Sequence, residues 1–116
     1  MNDPLDYQKK NWGKSACLGV FNGVKVWQGV IEKGDKCSVH HHEHDFNQII
    51  VVSGKLRINY FHEDDLIEPD SIEDLGPGER VTIDPREIHQ FEVLEDGIII
   101  ELYWCEPDFD IVRHNA

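Results

Sequence analysis

The sequence is short of positive charge. It carries 11 lysine and arginine residues against 23 aspartate and glutamate residues, and its formal net charge at pH 7 is −12. Binding to nucleic acid or to an anionic membrane surface needs clustered basic side chains that neutralise phosphate groups. The composition therefore argues against both kinds of partner and indicates a soluble surface whose charges repel one another.

Cysteines and long apolar runs are scarce as well. Cys17, Cys37 and Cys105 are an odd number without paired spacing, which favours a reduced, intracellular setting over a disulfide framework. The first residues lack a basic start followed by an apolar stretch, and no apolar run approaches the length that spans a membrane. We expect a cytoplasmic protein.

The chain also lacks a sustained apolar period of 3.6 residues, which argues against a sizeable helix. Turn signals instead separate short segments rich in β-branched residues. The pairs Asn22–Gly23 and Asp96–Gly97 predict hairpins, and Ser53–Gly54 predicts a tight turn at the end of a strand. This pattern is typical of an all-β sandwich or barrel.

A chain of 116 residues is long enough for one domain with a single small core. Within it we predict an N-terminal arm over residues 1–14, a β-barrel over residues 15–105 and a C-terminal tail over residues 106–116. We expect Trp12 or Tyr7 of the arm to pack on the barrel or on a partner subunit.

Four of the seven histidines lie between positions 40 and 44. His40 and His42 are two positions apart, so on a strand both side chains point to one face about 7 Å apart, while His41 points to the other. Two imidazoles at that spacing suit a single metal ion with bonds of about 2.1 Å. Cys37 has the opposite parity to His40 and is expected to face away from it.

Two spacings resemble the conserved motifs of the cupin superfamily. Gly34, His40, His42, Asn47 and Gly54 follow the first motif, with Asn47 at the position of the usual glutamate. Gly78, Pro85 and His89 follow the second motif, although Asp84, Arg86 and Val93 replace its usual proline, glycine and asparagine. Together the motifs and the segment between them span about half of the chain.

The resemblance implies an antiparallel β-barrel of the cupin type, which is also called a double-stranded β-helix or jelly roll. It further implies that His40, His42 and His89 bind a divalent transition metal ion (iron, manganese, nickel or zinc), with Asn47 as a weak, neutral ligand in place of glutamate. Because an amide supplies no charge, Asp45, Glu43 or Glu101 could compensate for the missing carboxylate.

Other polar residues are candidates for the chemistry of such a site. His44 and Tyr60 are candidate catalytic residues, and Tyr103 and Gln48 are candidate polar groups of the pocket. An ordinary loop role for His44 remains open.

Two functions follow. In the first, a small metal-dependent cupin acts on a small polar substrate, such as a sugar or a carboxylic acid, as a dioxygenase, isomerase or lyase. In the second, a metal-free cupin binds a small ligand as a binding module, or acts as a sugar-nucleotide isomerase in which the same histidines transfer protons. The resemblance also implies a homodimer, because small barrels cover their exposed edges.

Overall fold

The computed structural model describes residues 3–105, which form seven strands and no helix. The strands are β1 (Gln8–Lys10), β2 (Gly13–Phe21), β3 (Val24–Ile31), β4 (Asp45–Phe61), β5 (Ser71–Leu75), β6 (Arg80–Ile83) and β7 (Ile88–Cys105). No helix in this part of the chain has the length and apolar character needed to cross a membrane. The prediction of an all-β chain is confirmed.

All strand pairs are antiparallel. The order across the sheet is β1-β2-β3-β7-β4-β5, and β6 pairs with the first part of β4. The β2–β3 hairpin turns at Asn22 and Gly23, whose φ values of 52° and 80° suit a type I′ turn, as predicted. The curled sheet is consistent with a jelly-roll barrel.

Two predicted turns are wrong. Ser53–Gly54 does not end a strand and Asp96–Gly97 does not close a hairpin, because β4 and β7 run through them as strands of 17 and 18 residues. The β4–β7 ladder instead has irregular register between Val51 and Leu56. Such bulges bend a strand without ending it.

The two glycines permit a close backbone approach at this bend. A Cβ atom added to Gly54, whose φ is +83°, would lie 2.5 Å from the Asp96 carbonyl oxygen and 2.7 Å from that of Glu95. A Cβ added to Gly97 would overlap the carbonyl oxygen of Ser53. Only glycine fits here, because a Cβ atom would overlap the opposite backbone. The sequence alone does not distinguish this use of glycine from its use in a hairpin turn.

The bulges also change which side chains of β4 face the interior. Asn47, Ile49 and Val51 are buried before the bend, whereas Leu56 and Ile58 are buried after it. The buried apolar positions thus switch from odd to even. Ile49, Val51, Leu56 and Ile58 belong to one core cluster with Ile31, Cys37, Leu75, Ile83, Phe91, Val93 and Ile99.

Part of the predicted arm is ordered against the barrel. β1 pairs with β2, and the Trp12 ring packs on the core with its centroid 5.2 Å from that of Phe91. The predicted division into arm, barrel and tail stays a prediction, and the tail over residues 106–116 lies outside the described residues.

Replacing Gly54 with alanine should destabilise the protein much more than replacing Gly78. Both glycines have a φ of +83°, but a Cβ at Gly78 would meet nothing within 4 Å. We expect Gly78→Ala to lower the free energy of unfolding by roughly 1 kcal/mol from backbone strain alone, and Gly54→Ala by roughly 3 kcal/mol or more. Equal losses in urea denaturation would contradict the steric role of Gly54.

Candidate metal centre

Three histidines from two distant segments meet in the interior of the barrel. His40 and His89 form an isolated antiparallel bridge, in which the amide of His40 donates to the carbonyl of His89 at 2.9 Å and the reverse bond is 2.8 Å long. The amide of Arg86 donates to the carbonyl of His42 at 2.6 Å. Backbone bonds thus join the histidine segment to the corner before β7.

The rings of the three histidines lie in contact. Their centroids are 5.1 Å apart for His40 and His42, 4.5 Å for His40 and His89, and 5.6 Å for His42 and His89. One ring nitrogen from each residue lies within 4.8 Å of the others. Small side-chain rotations would bring all three to bonding distance from one ion, which is about 2.1 Å.

Hydrogen bonds orient two of these rings. His40 Nδ1 lies 2.9 Å from the carbonyl oxygen of Ser38, and His89 Nδ1 lies 2.8 Å from that of Glu87. A carbonyl only accepts, so each Nδ1 carries the proton and each Nε2 keeps its lone pair. Metal-binding histidines are oriented in this way by their outer neighbours.

His42 provides the strongest sign that a ligand belongs here. Its Nε2 atom is buried and has no hydrogen-bond partner in residues 3–105. A buried polar atom without a partner costs about 1–3 kcal/mol. Three imidazoles, one of them with a nitrogen that lacks a partner, are suitable ligands for a first-row transition metal ion.

Burial favours the neutral form of the His89 and His42 rings. It lowers the pKa of His89 to about 4, and the neighbouring charges of His40 and His42 act in the same direction. The pKa of His42 is lowered as well, first by burial and then by His40. The neutral ring is the form that binds a metal ion.

Asn47 belongs to a network of buried, hydrogen-bonded polar groups. Its Nδ2 atom donates to Glu101 Oε2 and to the Leu102 carbonyl, both at 3.3 Å, and the Tyr103 hydroxyl donates to the same Oε2 at 2.8 Å. Burial raises the pKa of Glu101, while the bonds from Tyr103 and Asn47 oppose that rise. Both hydrogen bonds found for the Asn47 side chain within residues 3–105 use Nδ2, and a metal-binding role for its carbonyl oxygen stays a prediction.

The histidines open into a cavity of about 360 Å³. Asn47, Glu101 and Tyr103 line its polar side, and the Tyr103 ring lies 5.5 Å from the ring of His42. The aromatic rings of Trp12, Trp27 and Phe91 line another part of the wall. The cavity volume is at the lower end of the range for small-molecule sites, which are mostly apolar with a few placed polar groups.

Known structures share this architecture. KdgF from Halomonas sp. matches with a TM-score of 0.72 and 17% identity over 90% of each chain. An RmlC-like cupin from Shewanella frigidimarina matches with a TM-score of 0.71 and 22% identity, covering 90% of this chain and 88% of that one. The chain has the cupin fold.

A third similar structure is a variant of oxalate decarboxylase from Bacillus subtilis. Its TM-score is 0.72 at 14% identity, and the match covers 87% of this chain and 27% of that one. No family model matches the sequence, and no curated protein matches it in sequence. Similarity at these identities shows the fold alone, and the resemblance to cupins is confirmed at that level.

The two candidate catalytic residues lie elsewhere in this cupin fold. His44 is exposed, and Tyr60 lines a different cavity, together with Arg86 and Glu87. Neither is among the described residues that line the histidine cavity. Tyr60 continues the inward face of β4 after the bulges, but at the far end of the strand from Asn47.

The prediction for Cys37 is wrong, because its side chain lines the same cavity as His40. Side chains do not alternate between two faces here, because residues 32–44 form only isolated bridges, at Lys36 and His40, and no regular strand. The predicted strand through His40 and His42 is therefore absent too. Burial raises the pKa of the Cys37 thiol to about 11, so it stays protonated.

Sequence reasoning named Glu101 and Tyr103 only among several alternatives. Tyr103 is the register partner of Asn47 across β4 and β7, and Glu101 lies two positions away on the same face. Correct pairing of these two strands would have identified both. The two cavity lysines, Lys10 and Lys25, were missed, because nothing in their local sequence separates them from surface lysines.

The stability of the metal-free protein should fall as the pH is lowered from about 6.5 to about 4. In this window the unfolded chain protonates residue 89 while the folded protein, with a pKa of about 4, resists protonation. The full loss from His89, which is 2% exposed, is about 3 kcal/mol. Chemical denaturation of the wild type and His89→Gln at several pH values, with a chelator present, measures it.

The variant should show a flatter pH dependence than the wild type. His42 contributes in the same direction as His89, and Glu101 in the opposite one: its raised pKa gives stability that is present at low pH and lost as the pH rises. The difference between the two proteins isolates residue 89. Parallel pH profiles would show that burial does not keep this ring neutral.

Proposed function

We propose that the protein binds one divalent transition metal ion through His40, His42 and His89, with Asn47 as a neutral neighbour. In this proposal it acts on a small polar molecule, such as a sugar or a carboxylic acid, that enters the histidine cavity. The buried His42 Nε2 without a hydrogen-bond partner carries the proposal. A metal ion would satisfy this atom and the two Nε2 atoms beside it.

When bound, such an ion supplies Lewis-acid or oxygen-activating chemistry. The side chains of the chain itself orient and enclose the substrate. The carbonyls of Ser38 and Glu87 hold two imidazoles in place. The rings of Trp12, Trp27 and Phe91 would contact the bound substrate, and the Glu101–Tyr103 pair holds a proton that a substrate oxygen could receive.

Asn47 determines the charge of the proposed centre. Three imidazoles and an amide are all neutral, so the full charge of the ion is left to attract an anionic or strongly polar group. Oxalate decarboxylase, one of the similar structures, is by its name an enzyme for a small carboxylic acid. That name supports the proposed substrate class.

A second candidate is a metal-free binding protein, or a sugar-nucleotide isomerase that uses His40 or His42 as an acid–base group. The observation that favours it is Asn47, a neutral amide at the position where the cupin resemblance places a carboxylate. An amide binds transition metals more weakly than a carboxylate does.

The metal content of protein purified without a histidine tag separates the two candidates. We expect about one transition metal ion per chain, with binding lost in His42→Ala and His89→Gln because each removes a nitrogen ligand. Asn47→Ala should weaken binding without abolishing it. Elemental analysis and calorimetric titration with Zn²⁺ measure both effects.

His44→Ala is the matched control. It removes an imidazole from the same segment, but this exposed residue does not line the cavity. Its metal content should equal that of the wild type. Circular dichroism checks that each variant is folded. A folded wild type that takes up no ion and releases none to a chelator would leave only the metal-free candidate.

We also propose a cytoplasmic location and a homodimer. Cys17, Cys37 and Cys105 form no disulfide with one another, in keeping with a reducing compartment, which cell fractionation would test. The dimer is supported by the outer face of the sheet, which we define as the side chains that alternate with the inward-facing ones of β3, of residues 98–104 of β7 and of residues 46–50 of β4. Its members are Val24, Val26, Gln28, Val30, Ile98, Ile100, Leu102, Trp104, Phe46, Gln48 and Ile50.

No member of this outer face is charged, although the chain carries 34 charged residues among 116. The rings of Phe46 and Trp104 stack on it with centroids 5.5 Å apart. Two copies with a net charge of −12 repel each other over most of their surface. An uncharged apolar face is where they could approach.

Light scattering of the purified protein should therefore give twice the chain mass of 13.5 kDa. Ile100→Lys places a charge in the centre of the outer face and should shift the protein to the monomer mass. Ile67→Lys, at a position that is 85% exposed and outside this face, is the control and should leave the dimer intact. A wild type that stays monomeric at high concentration would exclude the proposed dimer.

A further inference from the structure

Two lysines line the histidine cavity of a chain that has few basic residues. Lys10 is the last residue of β1, and Lys25 is the second residue of β3. Both are exposed, whereas His89 at the other end of the cavity is buried. The two ammonium groups therefore belong to the mouth of the cavity.

The strand register places these lysines beside the groups already described. Lys25 is the partner of Tyr103 across β3 and β7, and the Tyr103 ring contacts that of His42. Lys10 is close enough to Glu101 for its charge to act on that carboxyl group. A molecule in the cavity would meet lysines at one end and histidines at the other.

Neither lysine forms an ion pair within residues 3–105. Of the basic side chains in residues 3–105, Arg57 pairs with Asp74 at 2.8 Å, and Lys14 lies over the ring of Tyr7 at 4.7 Å. Lys10 and Lys25 form no ion pair in this part of the chain. The carboxylates that share the cavity are already bound, Glu101 by Tyr103 and Asp45 by the Cys105 thiol at 2.9 Å.

From this arrangement we infer that the cavity selects small organic acids, whose carboxylate is bound by Lys10 or Lys25 where the cavity opens. The inference rests on the proposed function of the histidine site, to which the uncharged polar part of the ligand would extend. Elsewhere the net charge of −12 repels anions. Two exposed lysines in the lining of the cavity counter that repulsion where the ligand enters.

Matched acids and amides test the inference because each pair differs only in the charge. The probes are D-glucuronate with D-glucuronamide, and benzoate with benzamide, titrated by calorimetry into the metal-loaded protein. We expect at least one acid to bind about tenfold more tightly than its amide, the effect of one favourable charged contact. The preference should weaken at high salt, since both lysines are exposed.

The variant Lys10→Met/Lys25→Met should lose this preference and keep its metal content. Methionine retains the length of the side chain and removes the charge. The control Lys55→Met/Lys36→Met removes two exposed lysines that do not line the cavity, with the same change in net charge, and should keep the preference.

The outcomes separate this inference from the metal proposal. A protein that binds no metal but prefers the acids in a lysine-dependent way would overturn the metal centre and support the inference. A metal-loaded protein that binds acid and amide equally, binds none of the four probes, or keeps its preference in the cavity-lysine variant would overturn the inference alone.

Discussion

The pairing of β4 with β7 is the constraint on which the rest of the structure depends. These two strands span most of the barrel, and the core residues of the interior alternate along them. Their common bend depends on Gly54 and Gly97, where the two backbones approach too closely for any Cβ atom. Asn47 faces Tyr103 before the bend of β4, and Leu56 and Ile58 enter the core after it. A change in this register would alter both the core and the polar side of the cavity.

The candidate metal centre places polar groups where the fold would otherwise be apolar. The His40–His89 bridge and the carbonyls of Ser38 and Glu87 satisfy most of its donors and acceptors, but not Nε2 of His42. Buried polar groups without partners destabilise a small domain, so a ligand that bonded this nitrogen would stabilise the arrangement. Such binding would couple the stability of the fold to the ligand.

Charge is distributed unevenly over the molecule. Acidic side chains dominate the chain, the outer face of the sheet carries none, and two exposed lysines line the histidine cavity. The molecule therefore has an acidic surface, a face without charge and a cavity lined by two lysines. The local charge differs between these regions, whereas the sequence composition gives only the net charge of the whole chain.

The sequence alone determined the all-β class, the β2–β3 hairpin and the histidines at 40, 42 and 89, because periodicity, turn residues and motif spacing are local signals. Tertiary structure alone decided how Gly54 and Gly97 are used, since a crowded strand crossing and a hairpin turn both need glycine. It also decided that Cys37, Glu101, Lys10 and Lys25 share a cavity with these histidines, while Tyr60 lines another. The physical reason is that strand bulges and irregular segments reset side-chain direction, and register across a ladder joins residues that are far apart along the chain.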